Sequence, residues 1–125
     1  MNNKVVVIIL LLLVGFVMFR SFSMTKNQGY QDITASEAQR MIKNGDVLVI
    51  DVRQPYEFQE GHINGSQLIP LGKIKTAYKE LDPNQKIILV CTSGSRSSSA
   101  ANFLSQQGFT KVYNLDGGLL AWSKL

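Results

Sequence analysis

Residues 90–97 read Val-Cys-Thr-Ser-Gly-Ser-Arg-Ser and contain the only cysteine of the chain. Thiol chemistry needs an anionic sulfur, and an ordinary cysteine is mostly protonated at neutral pH. No histidine neighbours Cys91 to act as a base, because the one histidine is His62. The stretch offers another means of holding a negative charge. Thr92, Ser93, Gly94 and Ser95 are small, which lets backbone N–H groups rather than side chains face a sulfur. Gly94 supplies a backbone conformation that other residues resist. Arg96 adds a cation, and a helix beginning near Ser97 adds the positive end of its dipole. Arg96 has two open roles: binding an oxyanion, or fixing the loop by reaching Asp51 or a carbonyl. Asp51 and Arg53 either line the mouth of such a site or brace a loop as an ion pair.

The elements that must position this loop are legible in outline. Residues 47–50 and 87–90 are unbroken apolar runs of the kind found in strands buried on both faces. Residues 67–69 and 111–113 are weaker strand candidates. Helical stretches fall at residues 55–59, 73–81, 97–107 and 118–124, with Pro55 in a first turn, where proline is tolerated. Thr34-Ala35-Ser36-Glu37 is a capping-box pattern that starts another helix, and Asn44-Gly45 ends it. Strand and helix alternate, which predicts an α/β domain with a mostly parallel sheet. Ligands bind beyond the carboxyl ends of strands in such sheets, and Cys91 follows one of those ends.

Composition removes other classes. Three of the 13 basic residues, Lys4, Arg20 and Lys26, flank an apolar run, which leaves ten against nine acidic residues in the remainder. No basic stripe suited to nucleic acid is present. One cysteine forms no internal disulfide, and no Cys/His pair has zinc spacing, so neither a metal nor a cofactor is implied. Four residues separate Cys91 from Arg96, where cysteine-dependent phosphatases have five, so the loop suits one sulfur better than a phosphate.

Residues 5–19 are apolar or glycine without a break. Fifteen helical residues cover roughly 22 Å, and continuation to Met24 gives roughly 30 Å, with Arg20 snorkelling to the headgroups. The reading is a single-pass membrane anchor over residues 1–26, its apolar part being residues 5–24. A cleaved signal peptide is the rival, opposed by the poor Ser21-Phe22-Ser23 cleavage site. Positive charges tie across the run. The short cationic start resembles a signal anchor and leans residues 27–125 toward the outside of the cytoplasm. Residues 23–31 read as a linker, and residues 27–125 as one domain.

Four blocks in order resemble the rhodanese domain family. They are Asp51-Val52-Arg53 with Tyr56-Glu57-Phe58, then Gly61-His62-Ile63 with Gly65-Ser66 and Ile69-Pro70, then Cys91 to Arg96, then Asn114-Leu115-Asp116-Gly117-Gly118 with Trp122. The resemblance implies an α/β fold with a five-stranded parallel sheet flanked by helices. It also implies sulfane-sulfur transfer from a donor such as thiosulfate to a thiol or cyanide acceptor, through a persulfide on Cys91, with Thr92 to Arg96 as the substrate-binding loop. Thr92 stands where some members carry a second arginine. The alternative is a non-catalytic binding or sulfur-carrier module that docks a membrane or extracytoplasmic partner. His62 reads as structural, Glu57 and Glu60 as surface or loop-bracing carboxylates, and Trp122 as packing.

Overall fold

The apolar runs become the centre of a five-stranded sheet in the computed structural model, which describes residues 1–22 and 29–125, with the backbone alone at residues 19–22. The strands are β1 (Gln31–Ile33), β2 (Val47–Asp51), β3 (Gln67–Leu68), β4 (Lys86–Val90) and β5 (Val112–Leu115). Their spatial order is β1-β5-β4-β2-β3, with every pairing parallel. β4 lies in the middle, and Ile87, Ile88, Leu89 and Val90 are fully buried. The alternation of its side chains feeds two cores. Ile87 and Leu89 pack with Ile50, Val52 and the Ala100, Ala101 and Leu104 face of α5 (Ser95–Gln106). Ile88 and Val90 pack with Val49, Leu115 and Ala38 of α2 (Ala35–Asn44). With helices on both faces, β4 is apolar without alternation from Ile87 to Val90.

The capping box forms as expected: Glu37 N–H donates to Thr34 Oγ1 at 3.2 Å and Thr34 N–H to Glu37 Oε2 at 3.0 Å. The other helices are α3 (Pro55–Glu60), α4 (Ile74–Ala77) and α6 (Gly118–Trp122). Three elements differ from expectation. β1 begins inside the stretch expected to be linker, whose residues 23–28 lie outside the described residues. The single helix expected over residues 73–81 is one α-turn between 3₁₀ pieces, Leu71–Lys73 and Tyr78–Glu80. Only Ile74 of it is buried, too little tertiary support to extend a longer helix. α5 starts at Ser95 rather than near Ser97, so Arg96 is inside the helix.

The N-terminal segment is helical as α1 (Asn3–Phe22). Among the described residues no helix is long and apolar enough to cross a membrane. The portion of α1 with described side chains, residues 3–18, covers roughly 24 Å, short of a ~30 Å hydrocarbon core. The continuation to Met24 lies outside the described residues.

Candidate active site

β4 ends at Val90 and delivers Cys91 to the carboxyl edge of the sheet. The chain then turns through Thr92, Ser93 and Gly94 and enters α5. Gly94 is the N-cap residue with φ +98, and a Cβ there would press on Gly117 N and Leu115 O at 3.3 Å. That left-handed residue folds the loop back over the sulfur. Cys91 Sγ accepts from Gly94 N–H at 3.2 Å and from Ser97 N–H at 3.3 Å.

The sulfur is buried, with Cys91 only 1% exposed. Burial pushes the thiol pKa up, but it is outweighed by hydrogen bonds that converge on the sulfur, those of the Ser97, Gly94 and Ser93 N–H groups among them. The net shift is below the ordinary cysteine value. The sulfur is also within reach of the Ser97 hydroxyl, at 3.3 Å.

The last helix completes the loop from the other side. Leu119 N–H donates to Cys91 O at 2.9 Å and Leu120 N–H to Thr92 O at 3.1 Å. Gly118 is what permits this approach. It sits at φ +59, and a Cβ there would collide with the carbonyls of Cys91 and Thr92. Asp116-Gly117-Gly118 thus forms a turn into a helix that braces the cysteine.

Arg96 takes the bracing role, with a partner other than expected. Its Nη1 and Nη2 donate to Glu57 Oε2 and Oε1 at 2.8 and 2.9 Å, and Nη2 also to Thr92 Oγ1 at 3.2 Å. Asp51, one of the partners open to Arg96, belongs to Arg53 instead. Arg53 Nη2 lies 2.8 Å from Asp51 Oδ2 and donates to Gly61 O at 2.6 Å, and both residues are buried. This pair braces the chain between β2 and Gly61.

Glu57 is held from two sides, since its Oε2 also accepts from Gln54 N–H at 2.8 Å. The Arg96 hydrogen bonds and then the Gln54 N–H lower its pKa to about 2. The Glu57 contact in turn raises that of Arg96. His62 stacks on Phe58 at 3.6 Å between ring centroids, and its Nδ1–H donates to Phe58 O at 2.7 Å.

Sequence reasoning missed two buried polar residues. Ser97 Oγ–H donates to Asn114 Oδ1 at 2.6 Å, and Asn114 Nδ2 donates to Asp32 Oδ1 at 2.9 Å. Ser97 was visible only as a helix start, and Asn114 only as part of the C-terminal block. Their meeting depends on β5 lying between β1 and β4. Among the described residues no group of His, Cys, Asp or Glu is placed to hold a metal ion.

Known proteins resemble this chain in sequence and in fold. Residues 34–125 match the family described as Rhodanese-like domain. A protein named thiosulfate sulfurtransferase GlpE from Pseudoalteromonas translucida is 37% identical over 93 residues, covering 74% of this chain and 89% of that protein. One named sulfurtransferase from Allochromatium vinosum is 36% identical over 89 residues, covering 71% and 83%. Among solved structures, a rhodanese-related protein from Thermoplasma volcanium superposes with a TM-score of 0.70 at 34% identity, covering 76% of this chain and 92% of that one. The match in sequence over nearly the whole sheet-and-helix unit, joined to the match in fold, makes this chain a member of the rhodanese-like family.

Proposed function

We propose that the chain is a membrane-anchored sulfurtransferase that moves sulfane sulfur from a small donor such as thiosulfate to a thiol or cyanide acceptor through a persulfide on Cys91. The observation that carries this reading is the convergence of the Gly94 and Ser97 N–H groups on Cys91 Sγ. Two similar proteins bearing sulfurtransferase names support it.

In the first half-reaction the thiolate attacks the outer sulfur of thiosulfate. The Sγ–S bond forms, the donor S–S bond breaks, and its electron pair leaves with sulfite. In the second, the acceptor thiolate or cyanide attacks the terminal sulfur and the electron pair returns to Sγ. No external oxidant or reductant enters the balance. The amides of Ser93, Gly94 and Ser97 hold the thiolate, a preorganised stabilisation that needs no rearrangement. Arg96, committed to Glu57 and Thr92, keeps the loop closed.

Incubation of the purified protein with thiosulfate, followed by mass spectrometry, tests the reading. A gain of one sulfur at Cys91, removed by cyanide and missing in Cys91→Ser, is expected. A sulfur-free Cys91 after thiosulfate and after a small persulfide donor overturns it and favours a docking module. That second reading draws on the 1% exposure of Cys91 and on the commitment of Arg96 to Glu57.

The anchor comprises residues 5–24, with the catalytic domain outside the cytoplasm. Its support is the unbroken apolar run of residues 5–19 between Lys4 and Arg20. A membrane-impermeant alkylating reagent should modify Cys91 in intact cells. Protection until lysis reverses the orientation, and recovery of the full chain in the soluble fraction removes the anchor.

A further inference from the structure

Among the described residues Ser97 is the one side chain in hydrogen-bonding distance of the Cys91 sulfur, and the polarity of that contact follows from counting protons. Its hydroxyl is fully buried and holds a single proton. The oxygen lies 2.6 Å from Asn114 Oδ1, an atom that has none. The hydroxyl proton must therefore lie between those two oxygens.

The Asn114 amide cannot turn over to change this. Its Nδ2 donates to Asp32 Oδ1 at 2.9 Å and to Gly94 O at 3.4 Å, and both partners are acceptors. A flipped amide would set its oxygen against both. Asp32 and Asn114 are register partners on adjacent strands, so the sheet itself holds this orientation. Ser97 consequently turns its lone pairs to the sulfur, 3.3 Å away. The resting thiol donates its S–H to Ser97. After ionisation the same lone pairs face an anion, and the hydroxyl can help only by leaving Asn114.

We propose that Asn114 is a positioning residue that turns the Ser97 hydroxyl proton away from Cys91, so that the hydroxyl stabilises the protonated thiol and the backbone amides alone stabilise the anion. The acidifying hydrogen bond available from the Ser97 side chain is thus held in reserve. Asn114 restrains the reactivity of the sulfur, and Asp32 locks the restraint. The other charged groups facing the loop are Arg96 of α5, whose charge acts on Cys91, and Glu57 of α3, which pairs with it. Asp51 and Arg53 at the end of β2 are paired with each other.

The proposal rests on Cys91 being the reacting sulfur, but its test reads acidity rather than turnover. A Cys91 that never accepts sulfur would defeat the proposed function and leave the acidity comparison intact. The pH dependence of Cys91 alkylation by iodoacetamide is measured in the full chain, in Asn114→Ala, in Ser97→Ala and in the double variant. Freed from Asn114, the hydroxyl donates to the thiolate. The midpoint should fall by about one pH unit, roughly tenfold more thiolate at a pH below both midpoints. The fall should vanish when Asn114→Ala is made in the Ser97→Ala background. An unchanged or raised midpoint in Asn114→Ala overturns the proposal, as does an equal fall without Ser97. Asp32→Asn is the second variant, useful if Asn114→Ala does not fold. An amide at position 32 accepts either orientation of Asn114, so the midpoint should again fall. Loss of the Asp32 charge acts with or without Ser97, and the part of the fall that requires Ser97 is the part that counts. No such part overturns the proposal.

Discussion

Arg96 is spent on a neighbour before any ligand arrives. Its fork is filled by Glu57 in a two-pronged contact, and that geometry is specific to a guanidinium. Arg96→Lys should therefore lower stability, by about 1 kcal/mol once solvent screening at a side chain 36% exposed is allowed for. Urea unfolding of the two proteins checks this, and an unchanged midpoint would show the pair to be inert. The same pair sets an acid limit. Glu57 has a folded-state pKa of about 2 against an ordinary 4.5. A carboxylate depressed in this way contributes stability in full above its unfolded value and loses it as pH falls through the folded value. Glu57→Gln should flatten the fall in stability between about pH 4.5 and 2, read from unfolding midpoints across that range. At this scale the sequence disclosed Cys91 and Arg96, because a lone cysteine and the lone cation of a small-residue loop stand out. It hid Ser97 and Asn114. A serine that starts a helix and an asparagine in a short strand are ordinary in sequence, and only strand pairing brings the asparagine to the serine that touches the sulfur.

Among the elements, α6 is short yet decisive. Its first N–H groups are satisfied by the carbonyls of Cys91 and Thr92 instead of by water. Gly118→Ala would introduce a Cβ against those carbonyls at a backbone angle of +59. A loss of roughly 1–3 kcal/mol is expected, together with slower Cys91 alkylation as the loop is pushed aside. Full retention of both properties would mean that α6 yields without cost. Thr34→Ala is the contrasting case. It removes a helix cap in an exposed position and should cost about 1 kcal/mol in thermal or urea unfolding, with the rate of Cys91 alkylation unchanged. Legibility at this scale followed length and burial. The capping box, β2 and β4 were readable because four-residue apolar runs and a cap with its partner are strong local signals. β1 was not, since three residues at a sheet edge carry no periodicity and only Ile33 among them is buried.

Over the whole molecule, the parallel sheet divides the interior into two separate cores that share β4. Ile87 faces the side of α5, and Ile88 the side of α2. Ile87→Ala and Ile88→Ala should each cost about 2–5 kcal/mol, and their combined effect should be close to the sum if the sheet isolates the two sides. Double-mutant unfolding measures this, and a coupling above about 1 kcal/mol would mean that the cores act as one. The alternating order of elements made the layered architecture readable in advance. The strand order did not follow from any local pattern, because the placement of β5 between β1 and β4 is a property of chain crossings.

The carbonyls of Cys91 and Thr92 find their donors in Leu119 and Leu120, which a ribosome adds well after the cysteine itself. A nascent chain halted between those points carries a thiol without its finished cradle. Completion of the cysteine's surroundings is thereby tied to the chain's last helix.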